Sequence, residues 1–247
     1  MFFCIQNLIT LRIKALIDPK LKLSIVIPFY NEEENVVPIL KESIEACPFA
    51  NIIAVNDGST DQTLREIRKV KDVQILSFDK NQGQSSAMIA GMLHAKNGLV
   101  CTMDGDGQNN PHDIENLLSQ WKPKSVVCGY RKNRQDSFSK KITSKLGNAI
   151  RNLIINDGIR DTGCSLKIFP YDAITSLPHF NGIHRFFPAF CKKAGYQLIE
   201  VPVSHRSRSK GISKYNNLGR ARRGLFDLIG VFWLLARMVQ PTDVKFK

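Results

Sequence analysis

Several signatures of familiar protein classes are missing from this chain. Its six cysteines form no C-x-x-C pair, and no histidine lies at zinc-finger spacing from them. This pattern argues against a zinc site or a disulfide framework and favours reduced thiols in a cytosolic environment. Neither a G-x-G-x-x-G sequence nor a P-loop is present, which disfavours a dinucleotide dehydrogenase and a P-loop ATPase or GTPase.

Long apolar runs are also missing. Residues 1–20 are apolar and basic, but they lack a small-residue cleavage site and a long uninterrupted apolar core, which argues against a signal peptide. We treat 1–22 as an N-terminal extension whose role the sequence leaves open. Near the other end, the apolar stretch 225–239 is interrupted by Asp227 and Arg237. Because a transmembrane helix needs about 20 apolar residues, a single span is disfavoured there.

Acidic residues are scarce in the second half of the chain. Residues 1–120 carry 11 Lys and Arg against 15 Asp and Glu, whereas residues 121–247 carry 24 against 7, so net charges of −4 and +17 sum to +13. Such asymmetry implies an anionic partner, which could be nucleic acid, anionic lipid or a phosphorylated substrate. Nucleic acid is disfavoured because no recognition motif is present and aromatics are not interleaved with the basic residues.

The chain does carry a regular alternation of strand and helix patterns from Leu23 onward. Strands are predicted at 23–28, 51–55, 73–78, 99–103 and 125–129, and helices at 32–46, 60–70, 84–94 and 217–239. Strands that alternate with helices at short spacing predict an α/β fold with a Rossmann-like, mainly parallel sheet flanked by helices. We expect one domain over 23–216, followed by a C-terminal amphipathic helix within 217–247.

Asp104-Gly-Asp106-Gly-Gln108 follows a predicted buried strand directly. Ligands bind open α/β sheets at the carboxyl ends of the strands, so two carboxylates here are well placed to meet one ion. Carboxylate and amide oxygens suit Mg²⁺ or Mn²⁺, whose remaining positions phosphate and water can fill. The alternative is an Asx turn that leads into Asn109.

Two other predicted strands also end in polar clusters. The first is followed by Tyr30-Asn31-Glu32 and the second by Asn56-Asp57-Gly58-Ser59. Each cluster could be an ordinary helix cap or turn. Because the carboxyl ends of parallel strands share one edge, we expect all three clusters to converge on one site.

Taken in order, these segments resemble a family 2 glycosyltransferase of the GT-A fold. More narrowly, they resemble its dolichol-phosphate mannosyltransferase-like, or polyprenyl-phosphate glycosyltransferase, branch. The resemblance spans about Leu23 to Tyr215, and no single motif decides it. The segments that carry it are 25–32, Val55-Asn-Asp-Gly-Ser-Thr-Asp61, Asn81-Gln-Gly83, Met103-Asp-Gly-Asp-Gly-Gln108, Gly129-Tyr-Arg131, Asp161-Thr-Gly-Cys-Ser-Leu-Lys167 and Arg208-Ser-Lys-Gly-Ile-Ser-Lys214.

The resemblance implies site residues. A nucleotide sugar would contact Pro28, Tyr30, Glu32, Val55, Asp57, Met103, Asp104, Gly105, Asp106, Gln108, Arg131, Arg208 and Lys214. Asp104, Asp106 and Gln108 would hold Mg²⁺ or Mn²⁺, and the catalytic group would be Asp106, Arg131, Arg208 and Lys214. Asn56, Gly105 and Gly107 depart from the family pattern, so the donor stays open between GDP-mannose and a UDP-sugar.

The acceptor can be argued from charge. A hydroxyl acceptor usually needs a carboxylate base, but the second half holds no E-D pair and no Q-x-x-R-W motif. A phosphate acceptor is already an anion and needs cations, which this half supplies. His184-Arg185 and His205-Arg206 are candidates for binding that phosphate, or are ordinary exposed loop residues. We therefore predict inverting sugar transfer to a polyprenyl (dolichyl or undecaprenyl) phosphate. The alternatives are a hydroxyl acceptor in cell-envelope glycan or lipid A-type synthesis and, more remotely, a basic nucleic-acid-binding protein.

The C-terminal helix fits a lipid acceptor. Three arginines at 220, 222 and 223 precede its apolar, aromatic part. A basic helix of this kind favours the cytoplasmic membrane interface, although a core or dimerisation helix is the alternative. We expect a peripheral protein on the cytoplasmic face of a membrane, with its oligomeric state open.

Overall fold

A seven-stranded sheet organises the protein, which is described here as a computed structural model. The structure describes residues 22–132, 147, 149–207 and 217–239, with side chains omitted for 217–223. The predicted extension 1–22 therefore lies outside it except for Lys22. The strands are β1 (Leu23–Phe29), β2 (Asn51–Asn56), β3 (Val73–Ser77), β4 (Leu99–Thr102), β5 (Ser125–Arg131), β6 (Lys167–Pro170) and β7 (Gln197–Val203).

The strand order is β3-β2-β1-β4-β6-β5-β7. β6 runs antiparallel to β4 and β5, and the other pairings are parallel. Six strands therefore end at one edge of the sheet, where β6 begins. This confirms the predicted α/β class and mainly parallel sheet. The sequence prediction did not include β6 or β7.

Helices cover both faces of the sheet. They are α1 (Glu33–Ala46), α2 (Thr63–Arg68), α3 (Gln84–His94), α4 (Asp113–Gln120), α5 (Tyr171–Thr175), α6 (Phe187–Lys193) and α7 (Asn217–Arg237), with a 3₁₀ turn at Ile183–Arg185. Side chains of α1, α2 and α4 belong to one core, and those of α3, α5, α6 and α7 to a second. Because side chains alternate between the two faces of a strand, β1 contributes to both cores: Ile25 and Ile27 point to the first and Val26 to the second.

Two helix starts differ from the prediction. Asn31 does not cap α1, because its backbone has φ +51° and its side chain bonds to Thr60 in the loop after β2. Helix α2 begins at Thr63 rather than at Thr60. The cause is tertiary: Thr63 accepts a hydrogen bond from the Glu32 backbone N–H at 2.8 Å, which ties the two loops together.

The C-terminal helix is present as predicted, but it is only partly a surface element. Leu228 and Val231 are 5% and 1% exposed in the second core. On its outer side, large apolar side chains are exposed: Leu225, Phe226, Ile229, Phe232 and Trp233. No helix in the described part of the chain has the length and hydropathy needed to cross a membrane.

The five described cysteines are buried free thiols. Burial raises the pKa of Cys47 and of Cys128 to about 12. Because the thiolate is the reactive form, these side chains act as small core residues rather than as metal ligands or nucleophiles.

Candidate active site

The polar clusters that follow β1, β2 and β4 lie together at the carboxyl edge of the sheet. β1 and β2 pair in parallel up to Phe29 and Asn56, and β4 lies on the other side of β1. β5 ends at the same edge with Arg131, because it runs antiparallel to β6. Five segments distant in sequence therefore meet here: the residues after β1, β2 and β4, the last residue of β5, and the residues before β6.

Asp104 and Asp106 occupy the centre of this edge. The Asp104 backbone N–H donates to both Asn109 Oδ1 and Ser165 Oγ at 3.1 Å, and Ser165 Oγ donates to the same Asn109 oxygen. The Asp104 carboxylate accepts a hydrogen bond from Gln84 Nε2 at 2.7 Å. The first residue of α3 and a residue before β6 thus hold Asp104 in place.

The charges around Asp104 favour a cation. Burial and the neighbouring Asp106 carboxylate raise the pKa of Asp104 to about 6, while Ser165, Lys167 and Arg131 act in the opposite direction. A half-buried carboxylate pair that repels itself is stabilised by a divalent ion, and its oxygens are the ligands that Mg²⁺ and Mn²⁺ prefer. Gln108 follows in the same loop, where its backbone N–H donates to Asp106 Oδ1. The residues present therefore fit a divalent metal.

In the described part of the chain, no group of three or more Asp, Glu, His or Cys side chains is arranged so that it could hold a metal ion. The candidate protein ligands are two carboxylates and one side-chain amide. Such a set leaves several coordination positions for substrate phosphate and water, as Mg²⁺ sites commonly do.

Gly105 separates the two carboxylates where no side chain fits. A Cβ there would lie 2.5 Å from Phe29 Cδ1 and 2.6 Å from the Pro28 carbonyl oxygen. The glycine at this position, one of the departures from the family pattern, lets the carboxylate loop pack directly against the end of β1.

Replacing Gly105 with alanine is expected to destabilise the protein by about 1–3 kcal/mol, because the added methyl group must displace β1 backbone or Phe29. Turnover should fall as well, since the same displacement moves Asp104 and Asp106. Thermal unfolding and a donor-turnover assay measure the two effects. Gly230→Ala is the matched control, because a Cβ at Gly230 meets nothing within 4 Å. Equal melting temperatures of the two variants would contradict the tight packing at Gly105.

Asp57 lies just behind the carboxylate pair. It is 2% exposed and accepts hydrogen bonds from Asn81 Nδ2, from the Gln82 N–H and from the Gly83 N–H. Burial raises its pKa, and these hydrogen bonds oppose the shift. Asp57 therefore positions the loop that delivers Gln84 to Asp104.

Val55 and Met103 have buried side chains. Val55 is 0% and Met103 1% exposed, one in each core. Any contact that these two make with a ligand must come from their backbone. Asn56 joins the ends of β2 and β3 through Ser77 Oγ, and its Oδ1 accepts from the Ser59 N–H.

Pro28, Tyr30 and Glu32 line the rim of the same edge and are partly exposed. The Glu32 carboxylate accepts a hydrogen bond from Asn35 Nδ2 at 2.6 Å, within the first turn of α1. The structure thus brings these predicted donor-binding residues to the carboxyl edge of the sheet. Their contact with a nucleotide stays a prediction.

Arg131 reaches this edge as part of an ion pair. Its Nε and Nη2 donate to the two carboxylate oxygens of Asp161 at 2.7 and 2.8 Å, and its backbone N–H donates to Asp161 Oδ2. The two side chains are 13% and 8% exposed. Lys167 is 2% exposed and donates to the backbone carbonyls of Thr162 and Cys164. Both cations lower the pKa of Asp104, so their charges act on the carboxylate pair.

The segment after β7 crosses the carboxylate loop. The Arg206 backbone N–H donates to the Gln108 carbonyl at 3.0 Å, and the Arg206 guanidinium pairs with Glu42. Arg208 and Lys214, predicted phosphate ligands, lie outside the described residues.

The 3₁₀ turn places His184 at the start of α3. Ser85 Oγ accepts from the Gly182 N–H at 2.8 Å and lies 2.7 Å from His184 Nδ1. Arg185 lies 3.7 Å from the Asp227 carboxylate on α7. Both side chains of this predicted phosphate-binding pair therefore have protein partners.

Residues 24–177 match the model of glycosyl transferase family 2. The chain belongs to this family. The resemblance drawn from the motifs is confirmed, and the protein is a glycosyltransferase. The carboxylate pair, Asp57 and Arg131 all fall inside the matched range.

Two relatives of similar sequence refine the comparison. The chain is 35% identical over 241 residues to a dodecaprenyl-phosphate galacturonate synthase from Rhizobium johnstonii, which covers 91% of this chain and 71% of the relative. It is 32% identical over 232 residues to an undecaprenyl-phosphate 4-deoxy-4-formamido-L-arabinose transferase from Edwardsiella ictaluri, covering 90% and 69%. Both relatives are named for sugar transfer involving a polyprenyl phosphate, which agrees with the predicted branch.

Solved structures confirm the GT-A fold. Glucosyl-3-phosphoglycerate synthase from Mycobacterium tuberculosis, in complex with Mn²⁺ and UDP, superposes with a TM-score of 0.67 at 16% identity, covering 93% of this chain and 84% of that one. Mannosyl-3-phosphoglycerate synthase from Rubrobacter xylanophilus gives a TM-score of 0.68 at 16% identity, covering 96% and 81%.

Sequence reasoning gave no role to several residues that build this site. Gln84, Asn109 and Ser165 hold Asp104, and Asp161 holds Arg131. Asp161 lies within a quoted motif, and Gln84 directly follows another. The motifs indicate that these residues belong to the site, but they do not predict which side chain each one contacts.

Proposed function

We propose that this glycosyltransferase moves a sugar from a nucleotide sugar to a polyprenyl phosphate at a membrane surface, with inversion at the anomeric carbon and with Mg²⁺ or Mn²⁺. The observation that carries this function is the Asp104/Asp106 pair at the carboxyl edge, with Arg131 and Lys167 close enough to lower the Asp104 pKa. The two polyprenyl-phosphate relatives support the acceptor class.

Asp104, Asp106 and Gln108 would hold the metal, which, when bound, supplies positive charge to the leaving nucleoside diphosphate. Pro28, Tyr30 and Glu32 stand at the rim where the nucleoside would bind, and Asp57 keeps the adjoining loop in shape. Arg131 would contact phosphate oxygens, since guanidinium geometry suits them. The fold neighbour is a complex with Mn²⁺ and UDP, which supports the choice of a divalent metal and a nucleotide-sugar donor.

The acids of the second half support a phosphate acceptor. Of its seven Asp and Glu residues, the structure describes five. Each of the five contacts an arginine or a tyrosine: Asp157 with Arg151, Asp161 with Arg131, Asp172 with Tyr196, Glu200 with Arg160 and Asp227 with Arg185. A carboxylate held in this way is a poor general base, and a phosphate oxygen attacks without one.

The outer face of α7 supports a membrane surface. Phe226 is 79%, Ile229 62% and Trp233 62% exposed on one side of the helix. Aromatic and aliphatic side chains on a basic helix are typical of helices that lie in the membrane interface. Asp227 lies at the midpoint of α7 and reaches Arg185, whose neighbour His184 contacts Ser85 at the start of α3. The middle of α7 therefore lies close to the carboxyl edge of the sheet.

Replacing Phe226 and Trp233 together with serine is expected to weaken vesicle binding about 100-fold, since each side chain loses roughly 1.5 kcal/mol of apolar burial. The melting temperature should change little, because both side chains are already exposed in the free protein. Vesicle co-sedimentation measures the binding. Ile75→Ser is the control, as Ile75 is exposed on β3. Deleting 225–247 is a poorer test, because it would also remove Leu228 and Val231 from the core.

A mass-spectrometric assay tests the proposed reaction. Purified protein is incubated with a panel of UDP- and GDP-sugars, with Mg²⁺, Mn²⁺ or EDTA, and with or without a polyprenyl phosphate. A glycosyl phosphoryl lipid that needs both metal and lipid is expected, and it identifies the sugar and the base. Transfer only to a hydroxyl acceptor would overturn the acceptor class. No use of any donor by folded protein would overturn the reaction itself.

A further inference from the structure

A groove lies between α6, α7 and the helical segment 149–155, away from the carboxyl edge of the sheet where Asp104 and Asp106 lie. Its volume is about 420 Å³. Its lining residues are Ile154, Ile155, Asn156, Asp157, Ala189, Lys192, Lys193, Phe232, Leu235 and Ala236. Nothing in the proposed reaction uses these residues.

One wall of the groove is apolar and continues onto the surface. Phe232 is 52% exposed and belongs both to the groove and to the outer face of α7. Across the groove, Ile154 follows Leu153, which is 86% exposed. The groove is therefore the cleft between two exposed apolar strips, and an apolar chain laid in it would cover side chains from both.

The other wall is cationic. Lys192 and Lys193 are exposed in the last turn of α6. Lys192 Nζ donates to the Asn156 carbonyl at 2.7 Å, which holds this ammonium group across the groove. Asp157 is the one acid in the lining, and Arg151 neutralises it in a buried pair whose side chains are 6% and 1% exposed. An occupant must therefore combine an anionic group with an apolar chain.

The groove is separated from the carboxylate pair along the sheet. Lys193 lies four residues before the first residue of β7, whereas the last residue of β7 lies at the carboxyl edge of the sheet. Seven strand residues span about 20 Å. Helix α7 reaches both places: Asp227 contacts Arg185, and Phe232, Leu235 and Ala236 line the groove about 8–14 Å further along the helix. An occupant of the groove would hold the far end of α7.

From this combination we propose that the groove binds one anionic phospholipid of the bilayer, with its phosphate at Lys192 and Lys193 and an acyl chain along Phe232, Leu235 and Ile154. This inference rests on the membrane placement within the proposed function. Lipid bound at the C-terminal end of α7 and aromatic side chains inserted along the helix together orient α7 parallel to the bilayer surface. That orientation presents the catalytic edge to a lipid-borne acceptor.

The test uses the full chain and two kinds of lipid. Dihexanoyl phosphatidylglycerol below its micelle concentration is titrated by calorimetry, with dihexanoyl phosphatidylcholine and glycerol 3-phosphate as comparisons. We expect one saturable site for phosphatidylglycerol, with both comparisons at least about tenfold weaker. Equal binding of the neutral lipid, or of the headgroup alone, would overturn the proposal, because the site needs both charge and chain.

The variant Lys192→Glu/Lys193→Glu is expected to weaken this binding and its affinity for anionic vesicles at least about tenfold. Lys41→Glu/Lys71→Glu is the matched control, since it makes the same charge change at exposed positions on the other face and near β3. An equal loss of lipid affinity in both variants would show that the effect comes from net charge alone, and it would overturn the proposed site. Lipid-independent dimerisation of wild type that the groove variant abolishes, measured by light scattering, would assign the groove to a second copy instead.

Turnover separates this inference from the proposed function. With farnesyl phosphate as a soluble acceptor and no vesicles, the groove variant should keep wild-type turnover. If wild type itself transfers no sugar to any prenyl phosphate, the proposed reaction fails while the lipid titrations still decide the groove. If the groove variant alone loses soluble turnover, the groove belongs to the acceptor site, and the bilayer-lipid assignment is overturned.

Discussion

Asp106→Asn is expected to lower sugar turnover by at least about 100-fold, which corresponds to roughly 2.7 kcal/mol of transition-state stabilisation. The substitution keeps the side-chain shape and the oxygen that accepts the Gln108 N–H, but it removes the charge that would help to hold the metal. Steady-state turnover at saturating metal and donor measures the loss.

Stability distinguishes this outcome from misfolding. Without metal, Asp106→Asn should melt no lower than wild type, because the change removes a repulsion that raises the pKa of Asp104. With Mn²⁺ and a nucleoside diphosphate, wild type should gain melting temperature by mass action and the variant should gain much less. Asp72→Asn is the control, as Asp72 is exposed in the turn before β3 at φ +62°, where asparagine is well tolerated. Near-normal turnover of Asp106→Asn would refute the metal assignment.

Asp161→Asn is expected to cost about 3 kcal/mol of folding free energy, because it removes the charge of one partner from a largely buried ion pair. For a chain of this size, such a loss lowers the melting temperature by roughly 6–12 °C. Turnover measured well below that temperature should also fall, since Arg131 is no longer held beside the carboxylate pair.

Glu200→Gln is the matched control for this prediction. It removes the acid of another arginine pair in which Arg160 is 62% exposed, and exposed pairs contribute under about 1 kcal/mol. A melting temperature for Asp161→Asn equal to that of Glu200→Gln would refute the stabilising role. A loss of stability with unchanged turnover would show that the position of Arg131 does not matter to the reaction.

Predicted elements formed in both halves of the chain, and in the second half β5 and α7 begin at their predicted first residues, Ser125 and Asn217. Helix α3 was predicted at its observed bounds, and β1 to β4 within one residue at each end, because each carries a local apolar pattern between clear turn residues. Strands β6 and β7 were missed. β6 has only four residues, and all are buried. It pairs antiparallel between β4 and β5, and no local sequence pattern predicts that pairing.

The sequence by itself determined the family and the α/β class, and it predicts that Asp104, Asp106 and Gln108 hold a metal, because these follow from motif order and from the rule that parallel strands end at one edge. Only the tertiary structure showed that Asp57 supports a loop, that Asp161 holds Arg131 and that α7 has one core face and one exposed apolar face. Those facts depend on which side chains meet across gaps of 20 to 30 residues or on opposite sides of the sheet. Such meetings are set by packing, and packing is not encoded in any local stretch of residues.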